Sequence, residues 1–399
     1  LKDLYSSIES KEIKSDFIKL EKRSLKFSKK YRNKISENSS AKTVLESIVE
    51  LEKIYEGLGK ISSYSSLLFA ADTNNEKYSK FYQDSSEKIS NIRKNLIFYF
   101  LSWNKISERK AKKIYSNPIL VKYSHLLKSE RKYKKYMLSE PEEKILDKKS
   151  ITSSRAFNRL FDQTLNNLKF DIKLKGKKHT LTETEVLALL YDKERKVRTE
   201  AARSLTEGLK SERKLLTFIF NQILTDSKIT NEIRGHTSPM DSRNLSNEIS
   251  QKTVDALIQT CNKYNKFPIR YYKLKSKMLK IKKFMDYDRY TPLGQSSKKF
   301  TFNQAKNIVL DSFNEFSPQM GKVAKLFFDN NWIDYKLRKG KRGGAFSHSC
   351  VPSVHPYILM NFTGKIRDVM TLAHELGHGC HQYLSAKQGL LLSSTPLTL

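Results

Sequence analysis

Residues that break regular structure are scarce in this sequence, with 14 Gly and 9 Pro among 399 residues and long stretches lacking both. Glycine relaxes the backbone and proline removes a hydrogen-bond donor, so their rarity favours long uninterrupted helices. The predicted fold class is mainly α. In "SAKTVLESIVELEKIYEGL", Val44, Leu45, Ile48, Leu51, Ile54 and Leu58 recur at intervals of three and four, which is one apolar face of a helix. In "LSEPEEKIL", Ser139 can cap a helix start, and Glu142 three residues later completes a capping box.

The helical texture breaks twice. In "LKFDIKLKGKKHTLTETEV", two alternating runs flank Lys175–Gly176–Lys177, which predicts a hairpin, and Thr182 with Glu185 forms the next capping box. The predicted domain boundary falls here, with a helical N-terminal domain over 1–178 and a second domain over 179–399. The second break is "KGKRGGAFSHSCVPSVHPYILMNFTGKIRD". Its two short apolar runs predict two strands just ahead of a long helix, "RDVMTLAHELGHGCHQYL".

Composition narrows the functional classes. Hydrophobic residues at 38% and charged residues at 29% read as soluble and globular, and no run approaches eighteen consecutive apolar residues, so no membrane span is expected. The opening "LKDLYSSIES" carries no apolar run of the kind a secretory signal needs. Three scattered cysteines, Cys261, Cys350 and Cys380, suit a reducing compartment, and the expected location is cytoplasmic. The net charge of +33 is mostly lysine spread along the chain. Without a nucleic-acid-binding signature, solvated helix faces account for it, and nucleic acid is not the expected partner.

The long helix holds His-Glu-x-x-His. Residues four apart share a helix face about 6 Å apart along the axis, so His374 and His378 can aim at one ion at about 2.0–2.1 Å. Glu375 then lies beside that ion as a general base. Asp368 suits the first turn, and Val369, Leu372 and Leu376 suit packing. Gly377 and Gly379 leave room for a segment to approach closely, and Cys380 reads as a small packing residue. His381 lies roughly 10 Å along the axis from His374, too far to share the ion, and is expected to contact either substrate or the residues around the ion's ligands. The three-histidine zincin pattern is excluded, because Cys380 and Leu384 stand where it needs Gly and His. No Asp or Glu follows Glu375. Asp288 and Arg289 are expected to form a structural ion pair, and His125, His179 and His236 to be surface or packing residues.

Together with "GKRGGAFSHSCVPSVHPYILMNFTGK", the motif helix resembles oligoendopeptidase F, of the thimet-oligopeptidase family of zinc peptidases. "SPMDSRNLSNEIS", "YDRYTPLG" and the "SEPEE" helix start extend the resemblance over most of the chain. It implies a multi-helix zincin-type metalloendopeptidase whose deep channel admits short peptide substrates and excludes folded proteins. It also implies one Zn²⁺ held by His374 and His378, with Glu375 as the base. In that family a Glu on a following helix is the third ligand, with His and Tyr residues further on. All of these are expected beyond Leu399, which makes 179–399 an incomplete catalytic domain, expected to be inactive alone. A separately encoded C-terminal half is a candidate partner. Gly344, Ala345 and Phe346 read either as a substrate-binding edge strand or as an ordinary structural strand. His348, His355 and Tyr357 read either as channel-facing or as core. The alternative function is a non-enzymatic, basic, helical binding protein that keeps a vestigial metal site.

Overall fold

Helices Lys11–Tyr31 (α1), Ala41–Ala71 (α2) and Glu76–Arg93 (α3) lie against one another and build the larger core of the protein. The structure is a computed structural model and describes residues 1–294 and 298–398. The apolar stripe predicted on α2 is its buried face: Val44, Ile48, Leu51 and Ile54 are fully enclosed, and Leu58 nearly so. Each such side chain contributes about 1.5–3 kcal/mol through burial. Ser40 starts α2 by accepting the Thr43 N–H at 3.0 Å, which satisfies one of the donors a helix start leaves open. Phe27 of α1 closes the core against Tyr31, Phe98 and Tyr99, with ring centroids 4.9 to 5.9 Å away. Among the described residues, no helix is long and apolar enough to cross a membrane.

The predicted hairpin pairs Phe170–Leu174 (β1) with Lys177–Leu181 (β2), antiparallel, with Phe170 opposite Leu181. Lys175 and Gly176 both take positive φ, 47° and 84°, in a two-residue turn whose twist matches the strands. Phe170 and Ile172 point inward to a small core with Val186 and Ala201, while Asp171 and Lys173 face water. Both expected capping boxes form: Glu142 accepts from Ser139 N–H and Glu185 from Thr182 N–H, each at 2.8 Å. Further on, helix Gln251–Tyr264 has no buried residue, and Leu257 and Ile258 on it are exposed.

The second break folds into a three-stranded sheet. Tyr357–Met360 (β5) is the centre, Ala345–His348 (β4) pairs antiparallel on one side, and Ile333–Asp334 (β3) pairs parallel on the other. β3 was not expected; two residues are too few to show a period. Side chains alternate along β5, so Tyr357 enters the larger core while Ile358 and Met360 enter a second one. That second core gathers Val309 of helix Phe302–Phe316, Ala324 and Phe327 of helix Pro318–Asp329, and Val369, Leu372 and Leu376 of the motif helix Ile366–Ser385. Asp368 starts the motif helix by accepting from Thr363 N–H at 2.7 Å and Lys365 N–H at 3.0 Å.

The expected Asp288–Arg289 pair does not form. Asp288 is wholly buried and receives Arg195 and Arg198, each at 2.8 Å, together with the Met285 N–H at 3.0 Å. Arg289 instead donates to the Tyr290 hydroxyl at 2.5 Å. Consecutive residues on a helical turn do not face each other, so adjacency in sequence is a poor guide to pairing. Burial alone would raise the Asp288 carboxyl, but hydrogen bonds from Arg195 and Arg198 outweigh it and hold it at about 2, below its ordinary 3.8.

A carboxyl with a depressed folded pKa stabilises above its unfolded value and loses that contribution as pH falls through the folded one. Asp288→Asn should therefore cost about 3–5 kcal/mol near neutral pH, because Arg198 is left buried without its counter-charge. In urea unfolding, the gap between the two proteins should narrow from about pH 4 toward pH 2; a gap independent of pH would refute the assignment. The paired glycines of the motif helix make a second test. A Cβ on Gly379 would stand 2.7 Å from the Phe327 ring, whereas one on Gly377 meets nothing within 4 Å. Gly379→Ala should destabilise by about 1–3 kcal/mol, and Gly377→Ala should be neutral or stabilise by up to about 1 kcal/mol. Equal effects in thermal unfolding would contradict this seating of the helix.

Candidate active site

The helical repeat sets the site. His374 and His378 sit one turn apart, with Nε2 atoms 3.2 Å from each other and rings nearly perpendicular at 88°. Two imidazole lone pairs this close repel unless a proton or cation lies between them. Ligands bound tetrahedrally to one ion at about 2.0–2.1 Å stand about 3.3–3.4 Å apart, so the pair fits a zinc ion as found. Among the described residues, no group of three His, Cys, Asp or Glu side chains gathers to hold a metal.

Glu375 is 7% exposed, between two more accessible histidines. Burial pushes its carboxyl up; His374, His378 and the Ser347 N–H pull the other way without cancelling it. The second core holds this helix through Leu372 and Leu376, and Gly379 lets the Phe327 ring come against its backbone. Cys380 is buried as a packing residue.

A cavity of about 710 Å³ opens beside the motif. His374 and Glu375 line it, the Gly344–Ala345 start of β4 forms one wall, and Thr184, Leu187 and Tyr191 form another. β4 is an edge strand, as its glycine-led sequence allowed. Two amides that sequence reasoning passed over position it. Asn361 Nδ2 donates to the carbonyls of Arg342 (2.9 Å) and Gly344 (3.1 Å). Gln382, two turns beyond Glu375, exchanges hydrogen bonds with Ser347: Ser347 Oγ donates to its Oε1 at 2.7 Å, and its Nε2 donates to the Ser347 carbonyl at 3.3 Å. Lys341 was passed over as well: its buried ammonium donates to the carbonyls of Met360 (2.7 Å) and Asp334 (2.9 Å), anchoring the loop that delivers β4. In so lysine-rich a chain, nothing marks Lys341 out beforehand.

The other expected site residues lie outside the cavity lining. Phe346 packs partly buried against the larger core. Nδ1 of His348 accepts the Cys350 N–H at 3.0 Å, and burial pushes its pKa down, which keeps it neutral. His355 stacks flat on Trp332, 3.9 Å between centroids, with Nε2 3.3 Å from Asp3. Tyr357 is core, its hydroxyl pushed up by burial. Both belong to the approach and body of the central strand, which the two cores enclose. His381 is exposed one turn beyond His378.

Residues 103–170 match Oligopeptidase F, and residues 188–398, just over half the chain, match Peptidase family M3. Oligopeptidase PepF of Bacillus subtilis is 27% identical over 372 residues, covering 90% of this chain and 54% of that protein. An oligoendopeptidase F homolog of Borreliella burgdorferi is 28% identical over 349 residues, covering 86% of this chain and 58% of its own length. The chain thus spans about half the length of the curated relatives it matches. The crystal structure of a candidate oligoendopeptidase F from Bacillus anthracis shares the fold, with a TM-score of 0.75 at 18% identity over 97% of this chain and 68% of that one. With the motif helix and its flanking strands, these matches establish that the chain belongs to peptidase family M3.

Proposed function

We propose that this chain carries the metal-binding helix and general base of a zinc-dependent endopeptidase that hydrolyses short peptides. The observation that supports this most is the approach of His374 and His378 to 3.2 Å beside the buried Glu375, with His374 and Glu375 at the wall of a cavity bordered by an edge strand. When bound, zinc supplies a Lewis acid that polarises a peptide carbonyl and acidifies water. His374 and His378 would hold it through Nε2. Glu375, its proton affinity raised by burial, takes a proton from the attacking water and delivers it to the leaving amine. Gly344 and Ala345 lie where an extended peptide would run alongside β4. Asn361 and Gln382 keep that strand at a fixed distance from the base.

Two imidazoles are one short of the three protein ligands that catalytic zinc sites use. The group proposed to complete the set is a carboxylate from a segment outside these residues, in this chain or in a second one.

In protein that cleaves a quenched fluorescent peptide, Glu375→Gln should lower kcat by about 10²–10⁴-fold while zinc content stays the same. Undiminished turnover would refute the role of Glu375. Zinc uptake by the 399-residue chain should weaken at least tenfold, by order of magnitude, in His378→Ala. No zinc uptake, together with salt-sensitive retention on nucleic acid, would favour a basic binding protein instead.

A further inference from the structure

The stretch "SPMDSRNLSNEIS" takes no part in the chemistry proposed above. It follows helix Arg213–Arg234, and the chain at its start closes a separate cavity of about 370 Å³. The lining is drawn from residues 130–143 and 234–242, and none of it is shared with the cavity beside His374. Most of the charge here is already matched. Arg234 donates to both oxygens of Glu143, at 2.8 and 2.7 Å, and to the Tyr136 carbonyl at 3.1 Å. Asp241 accepts the Thr237 and Ser238 N–H groups at 2.9 and 3.0 Å, and Glu248 takes His125 at 3.0 Å and Lys132 at 3.3 Å. The Lys135 ammonium lies 4.6 Å from the centroid of the Tyr136 ring. Glu130, at the end of helix Ser124–Arg131, is left without a counter-charge: among the described residues its carboxyl has no hydrogen bond and no ion pair. Burial pushes that carboxyl up to about 7, with no neighbour opposing the shift.

A second lining group lacks a partner. His236 stacks on the Tyr136 ring, 3.9 Å between centroids, and its buried Nδ1 makes no hydrogen bond among the described residues. Burial pushes the imidazole pKa down, so the neutral ring can present Nδ1 as an acceptor. The turn between these groups is held in place: Asn104, 3% exposed, donates through Nδ2 to the Glu130 carbonyl and to the Met137 sulfur, both at 3.2 Å. The carboxylate, the imidazole nitrogen, the Met137 sulfur and the Tyr133 ring are all electron-rich, so their complement is a cation carrying several N–H donors. A guanidinium group matches best, because it is planar, pairs with a carboxylate through two parallel hydrogen bonds and stacks on aromatic faces. We propose that Glu130, Tyr133 and His236 form a binding site for a small organic cation of the guanidinium class, apart from the metal-binding helix. The net charge of +33 disfavours loose attraction of cations to the rest of the surface, so saturable binding reports a built site.

The test is titration calorimetry of the 399-residue chain at pH 8, in about 0.15 M salt, with butylguanidine, butylamine and the uncharged butanamide. Butylguanidine should bind saturably, one per chain, with butylamine weaker and butanamide at least about tenfold weaker. Glu130→Gln should weaken butylguanidine by about tenfold or more without lowering the thermal unfolding midpoint, since the carboxyl it removes has no partner in the fold. A merely structural carboxyl would lose stability on the same change. Tyr133→Leu should weaken binding by about two- to tenfold. A bound cation favours ionised Glu130, so affinity should fall about fourfold from pH 8 to pH 6.5 as the carboxyl takes up its proton. The groups around it keep their charge over that range. Glu143 is held ionised by Arg234 against its own burial, Arg234 stays charged through Glu143, and burial keeps Tyr55 and Tyr133 neutral. His236, pushed below its ordinary 6.5, charges only under it. No saturable binding, butanamide equal to butylguanidine, or affinity unchanged in Glu130→Gln would overturn the site. Butylamine equal to butylguanidine would overturn the guanidinium assignment.

Discussion

The seating of the motif helix on the Phe302–Phe316 and Pro318–Asp329 helices is the constraint on which the site depends. Leu372 and Leu376 commit one face of that helix to the second core, and Gly379 lets the Phe327 ring press directly on its backbone. With that face fixed, the 3.6-residue repeat leaves His374 and His378 no choice but to share another. Glu375, between the two faces, is buried enough to hold a proton more tightly than a free carboxylate, with His374 and His378 pulling the other way. A residue at 379 with a side chain would push the helix away from Phe327 of the Pro318–Asp329 helix and spoil the geometry at a distance.

The strand pair contributes the other half of the geometry. β5 is buried on both faces because it separates two cores, and β4 is tied to it on one side and to Gln382 on the motif helix. Base and edge strand are thereby linked both by Gln382 and by the Ser347 N–H against Glu375, so their spacing does not rely on a mobile loop. Around the cavity, Lys365, Arg367 and Asp368 spend their charges on neighbouring protein groups, within a strongly basic chain.

Much of this was legible in the sequence where a feature is local and periodic. The α2 stripe, both capping boxes, the Lys175–Gly176 turn and the two strands ahead of the motif depend on neighbours a few residues away, and each formed as read. The histidine pair is legible for the same reason. Features set by distant contacts were not. Asp288 finds partners more than ninety positions earlier in the chain for Arg195, and ninety for Arg198, instead of its neighbour. Gly377 and Gly379 look alike in sequence, yet only the second has a ring against it. Tyr357 carries a chemistry-bearing side chain but serves packing, because its strand has no free face, and His355, two residues ahead of that strand, is held flat on Trp332. β3 is two residues long and exists only because β5 offers it an edge.

X-ray absorption at the zinc edge, on the chain loaded with one equivalent of zinc, tests the central claim most directly. Two imidazole nitrogens at about 2.0–2.1 Å should dominate the first shell, with the remaining positions filled by oxygen, and that signature should vanish in His374→Ala. A first shell without imidazole, or one unchanged by His374→Ala, would mean that the paired histidines are not a metal site.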